Sequence, residues 1–387
     1  MAMNENKRWQ LIENGVLQSI RQELPERIET ESGSFSLKWE RLHGGKQDGV
    51  DVLWIDTGTL KAAILPTRGM GIWKCWLGDL EIGWQSPTIG PVHPAFVPVH
   101  DASGIGWLEG FDEFIVRCGL HSNGAPEYDS HGHVKHPLHG RIANIPAHSL
   151  VVEVDPLAGT LDVHSIVDES RFLIYGLRLH THIQFRAGQS TIAMTDKVTN
   201  LFSRPTTMQL LYHINIGQPI LEAGSQIVAA CRRVAPRDAA AAANYQRWDV
   251  CEAPTDGFAE QVYLTQPIAD ANGWSTALLH DHKAENGVAV RFDTRTLPYM
   301  TIWKNTMAVE EGYVVGIEPA TGFPNTRKFE ELQGRLISLA GGQTKSFRVQ
   351  IEPTSSPYRV RELIDSIQLL KTSEPTVLSS PDREWSA

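Results

Sequence analysis

A single glutamate stands out in the apolar segment VVGIEPATGFPN, residues 314–325. The residues before it predict a buried or half-buried β-strand, in which a charge is costly unless something pairs with it or uses it. Pro319 has no N–H to donate and is expected to end the ladder. Glu318 would then lie at a strand end beside a loop, where functional side chains are common. The alternative is a structural glutamate that caps the turn or pairs with Arg327 or Lys328.

Histidines are the second group that could do chemistry, and the densest set lies in DSHGHVKHPLHGRIAN, residues 129–144. The set comprises His131, His133, His136 and His139. Imidazole is a common metal ligand, but this loop contains Gly and Pro and lacks the i, i+4 face of a helical HExxH site. We therefore expect no metal here, with a cupin-like site built from two of these histidines as the alternative.

A further histidine, His213, is isolated in the apolar strand MQLLYHINIG, residues 208–217. Asn215 lies two residues on and therefore on the same strand face. A single buried histidine usually bonds a backbone carbonyl and does nothing more. Together with Glu318 and His139, however, it supplies the carboxylate and imidazole groups that a general base and a general acid require.

Sugar ring opening needs such an acid and base. The base takes the proton of the anomeric hydroxyl while the acid protonates the ring oxygen. Closure on the other face of the carbonyl exchanges the anomers without a metal, a nucleotide or a covalent nucleophile. The sequence contains no P-loop, no GxGxxG opening a helix and no GxSxG. We therefore expect no cofactor for a reaction of this kind, whose substrate would be a small sugar or sugar derivative.

Composition narrows the class of protein further. The 387 residues include 41% hydrophobic and 21% charged residues, which is ordinary for a globular chain with a sizeable core. The net charge of −10 and the lack of a long basic run argue against nucleic acid and anionic membranes as partners. No secretory signal or membrane-length apolar run is visible, and the four scattered cysteines indicate reduced thiols, so we expect a cytoplasmic protein.

Short candidate strands dominate the chain, and several alternate apolar and polar residues as antiparallel sheets with one solvated face do. Strands are predicted at residues 35–42, 50–58, 60–66, 149–155, 159–167, 172–185, 190–200, 206–217, 287–293, 313–319, 336–342 and 344–352. Helices are expected at about 7–23 and 359–370, and residues 238–248 could form a short helix or a loop. The predicted fold class is all-β with few short helices.

The expected organisation is one large sandwich with extensions. Residues 1–30 are predicted as a partly helical N-terminal extension, and residues 31–371 as a single β-sandwich domain with a C-terminal helix. Residues 372–387 are expected to be a polar tail, frayed or disordered. Exposed strand edges would allow a monomer or a homodimer.

Seven motifs in order carry a resemblance to a known family. They are LPTRGMGI, CGLHSNGAPE, PLHGRIAN, DKVTN, LLYHINIG, IWKN and GIEPATGFPN. The set resembles the aldose 1-epimerase (galactose mutarotase) superfamily, and more closely an uncharacterised bacterial group within it, from about Leu60 to Glu352. The resemblance implies a β-supersandwich of two large antiparallel sheets with the site in a concave face.

Residue by residue, the resemblance implies roles for four side chains. Glu318 matches the general base, and His213 matches the histidine that protonates the ring oxygen. His139 matches the histidine that hydrogen-bonds sugar hydroxyls. Arg68 matches a substrate-binding arginine, although a structural pairing with a carboxylate fits this residue equally. An ionised base also needs a donor close by, for which we expect His139, Arg68 or Lys304.

The chain departs from the family pattern around the second histidine. His213 leads into Ile-Asn-Ile where galactose mutarotases typically have Pro-Tyr-Phe, and the substrate-binding aspartate has no clear match. Trp303 and Lys304, shortly before the glutamate strand, are candidates for binding substrate, with a solvated strand lysine as the alternative. Further candidates for the pocket wall are Asn215, His121, Asn123, Glu127, Asp112 and Glu113.

Two other functions stay open at this point. The same acid–base pair could run an isomerisation, epimerisation or elimination on a keto-sugar or sugar acid, with metal assistance if residues 131–139 hold an ion. The protein could instead bind carbohydrate without catalysis, since large β-sandwiches serve both purposes. The 11 tryptophans supply flat faces of the kind that sugar sites use, but no motif identifies the sugar.

Overall fold

The computed structural model describes residues 6–18, 24–371 and 373–386 and consists mainly of β-strands. In the first part of the chain they are β1 (Lys7–Glu13), β2 (Val16–Leu17), β3 (Ile28–Thr30), β4 (Gly33–Arg41), β5 (Asp51–Asp56), β6 (Leu60–Leu65), β7 (Gly71–Leu77), β8 (Leu80–Ile82), β9 (Ile115–Leu120), β10 (Glu127–Tyr128), β11 (Val134–His136), β12 (Ser149–Asp155) and β13 (Thr160–Arg171). They continue with β14 (Tyr175–Arg186), β15 (Ile192–Asn200), β16 (Thr206–Ile216), β17 (Gln226–Ala229), β18 (Cys231–Pro236), β19 (Gln261–Pro267), β20 (Trp274–His280), β21 (Gly287–Asp293), β22 (Tyr299–Asn305), β23 (Val314–Ala320), β24 (Ile337–Leu339), β25 (Thr344–Thr354) and β26 (Thr376–Val377). The α-helices are α1 (Ala239–Ala242), α2 (Arg327–Leu332) and α3 (Pro357–Leu370).

Two large sheets, almost wholly antiparallel, form the sandwich. One has ten strands in the order β17-β20-β21-β25-β15-β14-β13-β12-β1-β2. The other follows the order β26-β18-β19-β22-β23-β16-β9-β7-β6-β5-β4-β3, with β24 beside β16 and β8 beside β7. A separate hairpin joins β10 and β11. The all-β supersandwich predicted from the sequence is thereby confirmed.

Alternating burial explains the ten-stranded sheet. Along β13 the residues Leu161 and Val163 are buried, whereas Asp162 and His164 between them are half-buried. β14 shows the same period and pairs with β13 along its whole length. The apolar face of this sheet packs against the second sheet in one contiguous core, because burying that face removes it from water.

The second sheet contains strands that are covered on both faces. All seven residues of β23 are buried, and β16, which lies between β23 and β9, is buried from Met208 to Ile216. Strands of this kind are nearly continuous apolar runs, and a polar residue within them must find its partner inside the protein. His213 and Glu318 occupy such positions.

The C-terminal helix expected at residues 359–370 is present as α3. Ser356 caps its first turn by accepting from the Arg359 N–H, and Pro357 occupies the first helical position, where a missing N–H costs nothing. Its apolar side packs beside β17 and β20. Residues 238–248 form the short helix α1 followed by a single 3₁₀ turn. None of the described helices could span a membrane.

The helix expected at about 7–23 is wrong for the residues that the structure describes there, and residues 19–23 lie outside the described residues. β1 and β2 form a hairpin instead. Asn14 and Gly15 turn the chain with φ of 51° and 78°, the left-handed pair that a tight hairpin turn requires. The Asn-Gly dipeptide is typical of such a hairpin turn. The residues around it do not alternate clearly between apolar and polar, so the strands on either side were not predicted.

The tail expected to be frayed is ordered against the sandwich. β26 pairs in parallel with β18, and Trp385 is buried against Phe323, with ring centroids 5.0 Å apart. The backbone carbonyl of Trp385 accepts a hydrogen bond from the Asn325 side chain at 2.8 Å. The segment is polar in composition, but one buried tryptophan is enough to fix it.

The prediction that Pro319 ends the ladder is also wrong. β23 continues to Ala320, with Pro319 opposite Met300 and Ala320 opposite Leu211. Glu318 therefore lies inside a central strand and not at a strand end.

Replacing Trp385 by alanine should lower the stability of the fold by about 3 kcal/mol, because the change empties a buried site of an aromatic ring. Thermal or denaturant unfolding of the full chain measures this loss. Phe172→Ala is the matched control, since Phe172 is 88% exposed and its loss should change stability by less than about 0.5 kcal/mol. Equal stability of the two variants would show that the tail does not contribute to the core.

Candidate active site

The register of three neighbouring strands brings the predicted acid and base together. Ile214 lies opposite Ile317 and Leu211 opposite Ala320, so His213 on β16 faces Glu318 on β23. Thr301 on β22 lies opposite Glu318 from the other side. Residues directly opposite each other point to the same face of a sheet, so these side chains converge on one face.

The side chains of His213 and Glu318 are in contact. His213 Nε2 lies 3.2 Å from Glu318 Oε1, and the two side chains are 5% and 3% exposed. The other ring nitrogen, Nδ1, lies 2.5 Å from Oδ1 of Asn215. The Asn215 amide nitrogen donates to the Glu113 carbonyl at 2.9 Å, which leaves Oδ1 as the acceptor. His213 therefore carries its proton on Nδ1, and Nε2 is the nitrogen that faces the carboxyl group.

Burial dominates the electrostatics of this pair. It raises the pKa of the Glu318 carboxyl well above its ordinary value; the Glu260 carboxylate adds to the rise and the Arg237 guanidinium opposes it. Burial also lowers the pKa of the His213 imidazole well below its ordinary value, with His139 adding to that effect. Since both charged forms are disfavoured, Glu318 and Nε2 share one proton as a coupled unit.

His139 lies beside this pair. Its ring centroid is 5.4 Å from that of His213, and its Nδ1 is 3.0 Å from the carbonyl oxygen of Asn123. Burial lowers its pKa to about 4. A neutral ring whose Nδ1–H donates to a carbonyl has a bare Nε2, which can accept a hydrogen bond from a hydroxyl group.

Aromatic rings surround the imidazoles. Trp107 and Phe111 contact each other at 4.7 Å between centroids, and both lie near His213, as does Trp303 at 5.3 Å. Phe111 and Trp303 also line a cleft of about 470 Å³, together with Trp84. The cleft thus ends at the rings that cover the acid–base pair.

Two carboxylate side chains line this cleft, those of Glu260 and Glu311. Glu260 accepts a hydrogen bond from Trp303 Nε1 at 2.7 Å and another from Arg237 at 2.8 Å. It is exposed and lines the cleft beside Trp303. Sequence reasoning missed Glu260 and Arg237, which lie far from the motifs along the chain and carry no local signal.

Gly316 leaves room for the acid–base pair. A Cβ at this position would lie 2.6 Å from Glu318 Oε1 and 3.3 Å from Cε1 of His213. Sequence reasoning also missed this residue, although a signal existed. Gly316 lies two residues before Glu318 and therefore on the same strand face, where a side chain would compete for the same space.

Arg68 corrects one of the sequence-based predictions. It is 1% exposed, and its guanidinium donates to Glu113 Oε1 at 2.6 Å, to Asn144 at 3.0 Å and to the carbonyls of Val92 and Gly110 at 2.8 Å each. These contacts occupy the guanidinium, so the structural role is the correct one. Arg68 anchors the loop that carries the Trp107 and Phe111 rings.

Lys304 and His121 are corrected as well. Lys304 is fully buried, and its Nζ binds the Arg247 and Val250 carbonyls at 3.0 and 2.7 Å and the Glu252 carboxylate at 2.9 Å. It is neither a solvated lysine nor a free donor for substrate, because alternation in β22 turns it away from the face of Thr301 and Trp303. His121 faces a different cavity, stacked on Tyr175 at 4.1 Å.

The other candidate residues differ in their surroundings. Asn123 is fully buried, and neither its amide nitrogen nor its amide oxygen has a hydrogen-bond partner among the described residues. Within the same part of the chain, the Gln209 amide and the Thr301 hydroxyl also have no partner. Glu127 binds Lys135 at 2.8 Å, and Asp112 accepts from Trp73 at 2.6 Å. Glu113 holds Arg68 and, through its carbonyl, Asn215.

The histidine loop does not form one site. His131 and His133 are exposed, His136 faces the cavity of His121, and His139 joins His213. Among the described residues, the group whose ligand atoms lie close enough for one ion is Asp162, His164 and His182, on the half-buried faces of β13 and β14.

Comparisons with known proteins agree with this fold. The family described as "Domain of unknown function (DUF4432)" matches residues 47–352. The structure of a "putative aldose 1-epimerase" from Klebsiella pneumoniae is 31% identical, with a TM-score of 0.89 over 96% of this chain and 98% of that one. A search of curated proteins found no match.

More distant structures share the fold. A "galactose mutarotase-like protein" from Clostridium acetobutylicum is 13% identical, with a TM-score of 0.55 over 82% of this chain and 98% of that one. A "galactose mutarotase related enzyme" from Lactobacillus acidophilus is 14% identical, with a TM-score of 0.54 over 79% and 98%. The family match and the likeness to the Klebsiella pneumoniae structure show that the chain belongs to the DUF4432 family within the aldose 1-epimerase (galactose mutarotase) superfamily.

Proposed function

We propose that the protein is a cofactor-independent sugar epimerase that interconverts anomers. The observation that carries this proposal is the buried contact between Glu318 and His213, 3.2 Å apart beneath the aromatic rings of a cleft. A carboxyl group and an imidazole that share one proton can exchange it with a sugar without a metal or a nucleotide. The membership of the superfamily supports the same chemistry by analogy.

The proposed reaction conserves protons at every step. Glu318, as carboxylate, takes the proton of the anomeric hydroxyl, and the bond between the anomeric carbon and the ring oxygen breaks. His213 delivers its Nε2 proton to that ring oxygen as the bond breaks. After rotation of the open-chain aldehyde, the reverse transfers close the ring on the other face. Acid and base thus exchange roles within each turnover.

The shared proton keeps the electrostatic cost of this reaction low in a buried site. The carboxylate–imidazolium form and the carboxyl–imidazole form of the pair have the same net charge. Ring opening converts the first form into the second, so Glu318 and His213 never leave an uncompensated charge away from water. Asn215 contributes by holding the Nδ1 proton and thereby the orientation of the ring.

Sugar hydroxyls have several partners around the pair. The Nε2 atom of neutral His139 can accept, and the side chains of Asn123 and Thr301 have unused hydrogen-bonding groups. Glu260 is a carboxylate at the cleft and takes the place of the substrate-binding aspartate for which the sequence offers no match. The faces of Trp303 and other rings suit the C–H surface of a sugar.

The structure removes one argument for a keto-sugar or sugar acid as substrate. Lys304 was a candidate partner for the anion of a keto-sugar or sugar acid, and its ammonium group is instead bound within the protein. A purely carbohydrate-binding protein would not need an acid and a base in contact, and the first experiment below separates it from an enzyme.

Glu318→Gln should reduce the rate of anomer exchange by about 10²–10⁴-fold, because a general base contributes roughly that factor. Exchange spectroscopy by NMR on a panel of neutral, acidic and phosphorylated sugars measures the rate and identifies the substrate. Glu13→Gln is the control, since Glu13 is exposed on the N-terminal hairpin and its change should leave the rate intact.

Near-wild-type exchange in the Glu318→Gln variant would rule out Glu318 as the base. Sugar binding without exchange in the wild type would favour the binding module.

The pH dependence of kcat/KM should be bell-shaped with well-separated limbs. Activity requires one proton on the Glu318–His213 pair. Below the lowered pKa of His213 the pair gains a second proton, so the acid limb lies below the ordinary histidine range. Above the raised pKa of Glu318 it loses its only proton, so the alkaline limb lies well above the ordinary carboxyl range.

Steady-state rates across the pH range, on the substrate that the exchange experiment identifies, test this profile. A curve that rises once near the ordinary carboxyl pKa and then stays level would contradict the shared proton.

A further inference from the structure

A second cavity, of about 250 Å³, lies on the other side of the segment that carries His139. Pro137 and Gly140, which flank His139, line this cavity, whereas the ring of His139 points to His213. Its cationic wall consists of Lys135, Arg141, Arg171 and Arg327. The cavity also contains three imidazoles, those of His100, His121 and His136.

The positive charges of this cavity exceed its negative charges. Lys135 pairs with Glu127 at 2.8 Å. Arg141, Arg171 and Arg327 have no carboxylate partner within 4.0 Å among the described residues. Arg327 donates to neutral acceptors, the His121 carbonyl and the Thr207 hydroxyl.

The one carboxylate in the wall does not balance these guanidinium groups. Glu169 is 1% exposed and accepts the Leu120 N–H at 2.5 Å and the Tyr175 hydroxyl at 2.9 Å. Arg327 is buried and Arg141 is half-buried, so the repulsion between their charges is only partly screened by water, and an anion bound beside them and the exposed Arg171 would offset it.

Neutral donors complete the cavity. Ser122 is 3% exposed and lines the cavity, and its Oγ has no hydrogen-bond partner in the part of the chain that the structure describes. Burial lowers the pKa of His121 to about 3 and that of His136 to about 4, so both rings are neutral at pH 7 and each has one N–H to donate. His121 is held flat against Tyr175, with the ring planes 1° apart.

We propose that this cavity is a binding site for a phosphate group, either free or as the monoester of a small molecule. Guanidinium groups match the oxygens of a tetrahedral oxyanion in geometry and charge, and hydroxyl and imidazole donors can satisfy the oxygens that remain. A cavity of about 250 Å³ has room for a phosphate with a small substituent.

The site is separate from the acid–base pair and does not depend on the proposed reaction. Arg327 binds Thr207, which precedes His213 by six residues on β16. At about 3.3 Å per residue this places the two positions roughly 20 Å apart along the strand. Two elements connect the cavity with the acid–base pair: the segment of His139, and β16 through Thr207.

Calorimetric titration of the full chain with inorganic phosphate, at constant ionic strength maintained with chloride, tests the proposal. One saturable site is expected. Arg171→Gln should weaken binding by about tenfold, because it removes one charge-assisted contact from an exposed position that the fold does not need. Ser122→Ala should weaken binding by a smaller factor. Arg186→Gln, an exposed arginine at the far end of β14, should bind as the wild type does.

Parallel titrations identify the source of the phosphate. Tighter binding of glucose 6-phosphate or glycerol 3-phosphate than of inorganic phosphate would support a monoester ligand, and equal binding would support the free ion. Absence of saturable binding by all three, or binding unchanged in both Arg171→Gln and Ser122→Ala, would overturn the proposal. Loss of phosphate binding in Glu318→Gln would also overturn it, because the phosphate would then lie in the cleft.

Discussion

The contact between His213 and Glu318 is the constraint on which the rest of this structure depends. Two ionisable groups lie in strands that are covered on both faces, where neither charge is tolerated alone. Their contact solves the problem because one proton serves both groups. The contact needs a fixed register between β16 and β23, and the absence of a side chain at Gly316. A shift by one residue would turn one partner to the other face.

A further set of buried polar groups holds the His213–Glu318 pair in place. Asn215 orients His213 and is itself held by the carbonyl of Glu113, whose carboxylate binds Arg68. Arg68 also binds two carbonyls of the loop that covers the pair. Each side chain in this network has hydrogen-bond partners. That is the condition under which a buried polar network makes a site rigid and does not destabilise it. The guanidinium groups of the second cavity have at most neutral acceptors and no carboxylate partner among the described residues, and that contrast with Arg68 is the reason to assign them an anionic ligand.

Sequence reasoning predicted much of the fold and part of the site. β12 and β21 have the bounds that alternation and turn residues predicted, because both signals are local. The N-terminal hairpin was missed although Asn14 and Gly15 are a strong turn signal, and the tail was missed because its anchor is the single residue Trp385. Arg68 and Lys304 were candidates for binding substrate, with a structural pairing as the alternative for Arg68 and a solvated strand lysine for Lys304. Their guanidinium and ammonium groups are bound within the protein, which no pattern along the chain reveals.

The sequence by itself determined the strands and their buried faces, because period-2 burial is a property of short segments. It also determined that a glutamate and a histidine in apolar strands need partners, because the cost of a buried charge is local as well. Only the tertiary structure decided which partners those are. Glu318 meets His213 and not Arg327, Lys304 turns away from Trp303, and Glu260 reaches the cleft from a distant strand end. These pairings depend on strand order and register between residues far apart in the chain, and a side chain's partner is decided by space and not by sequence distance.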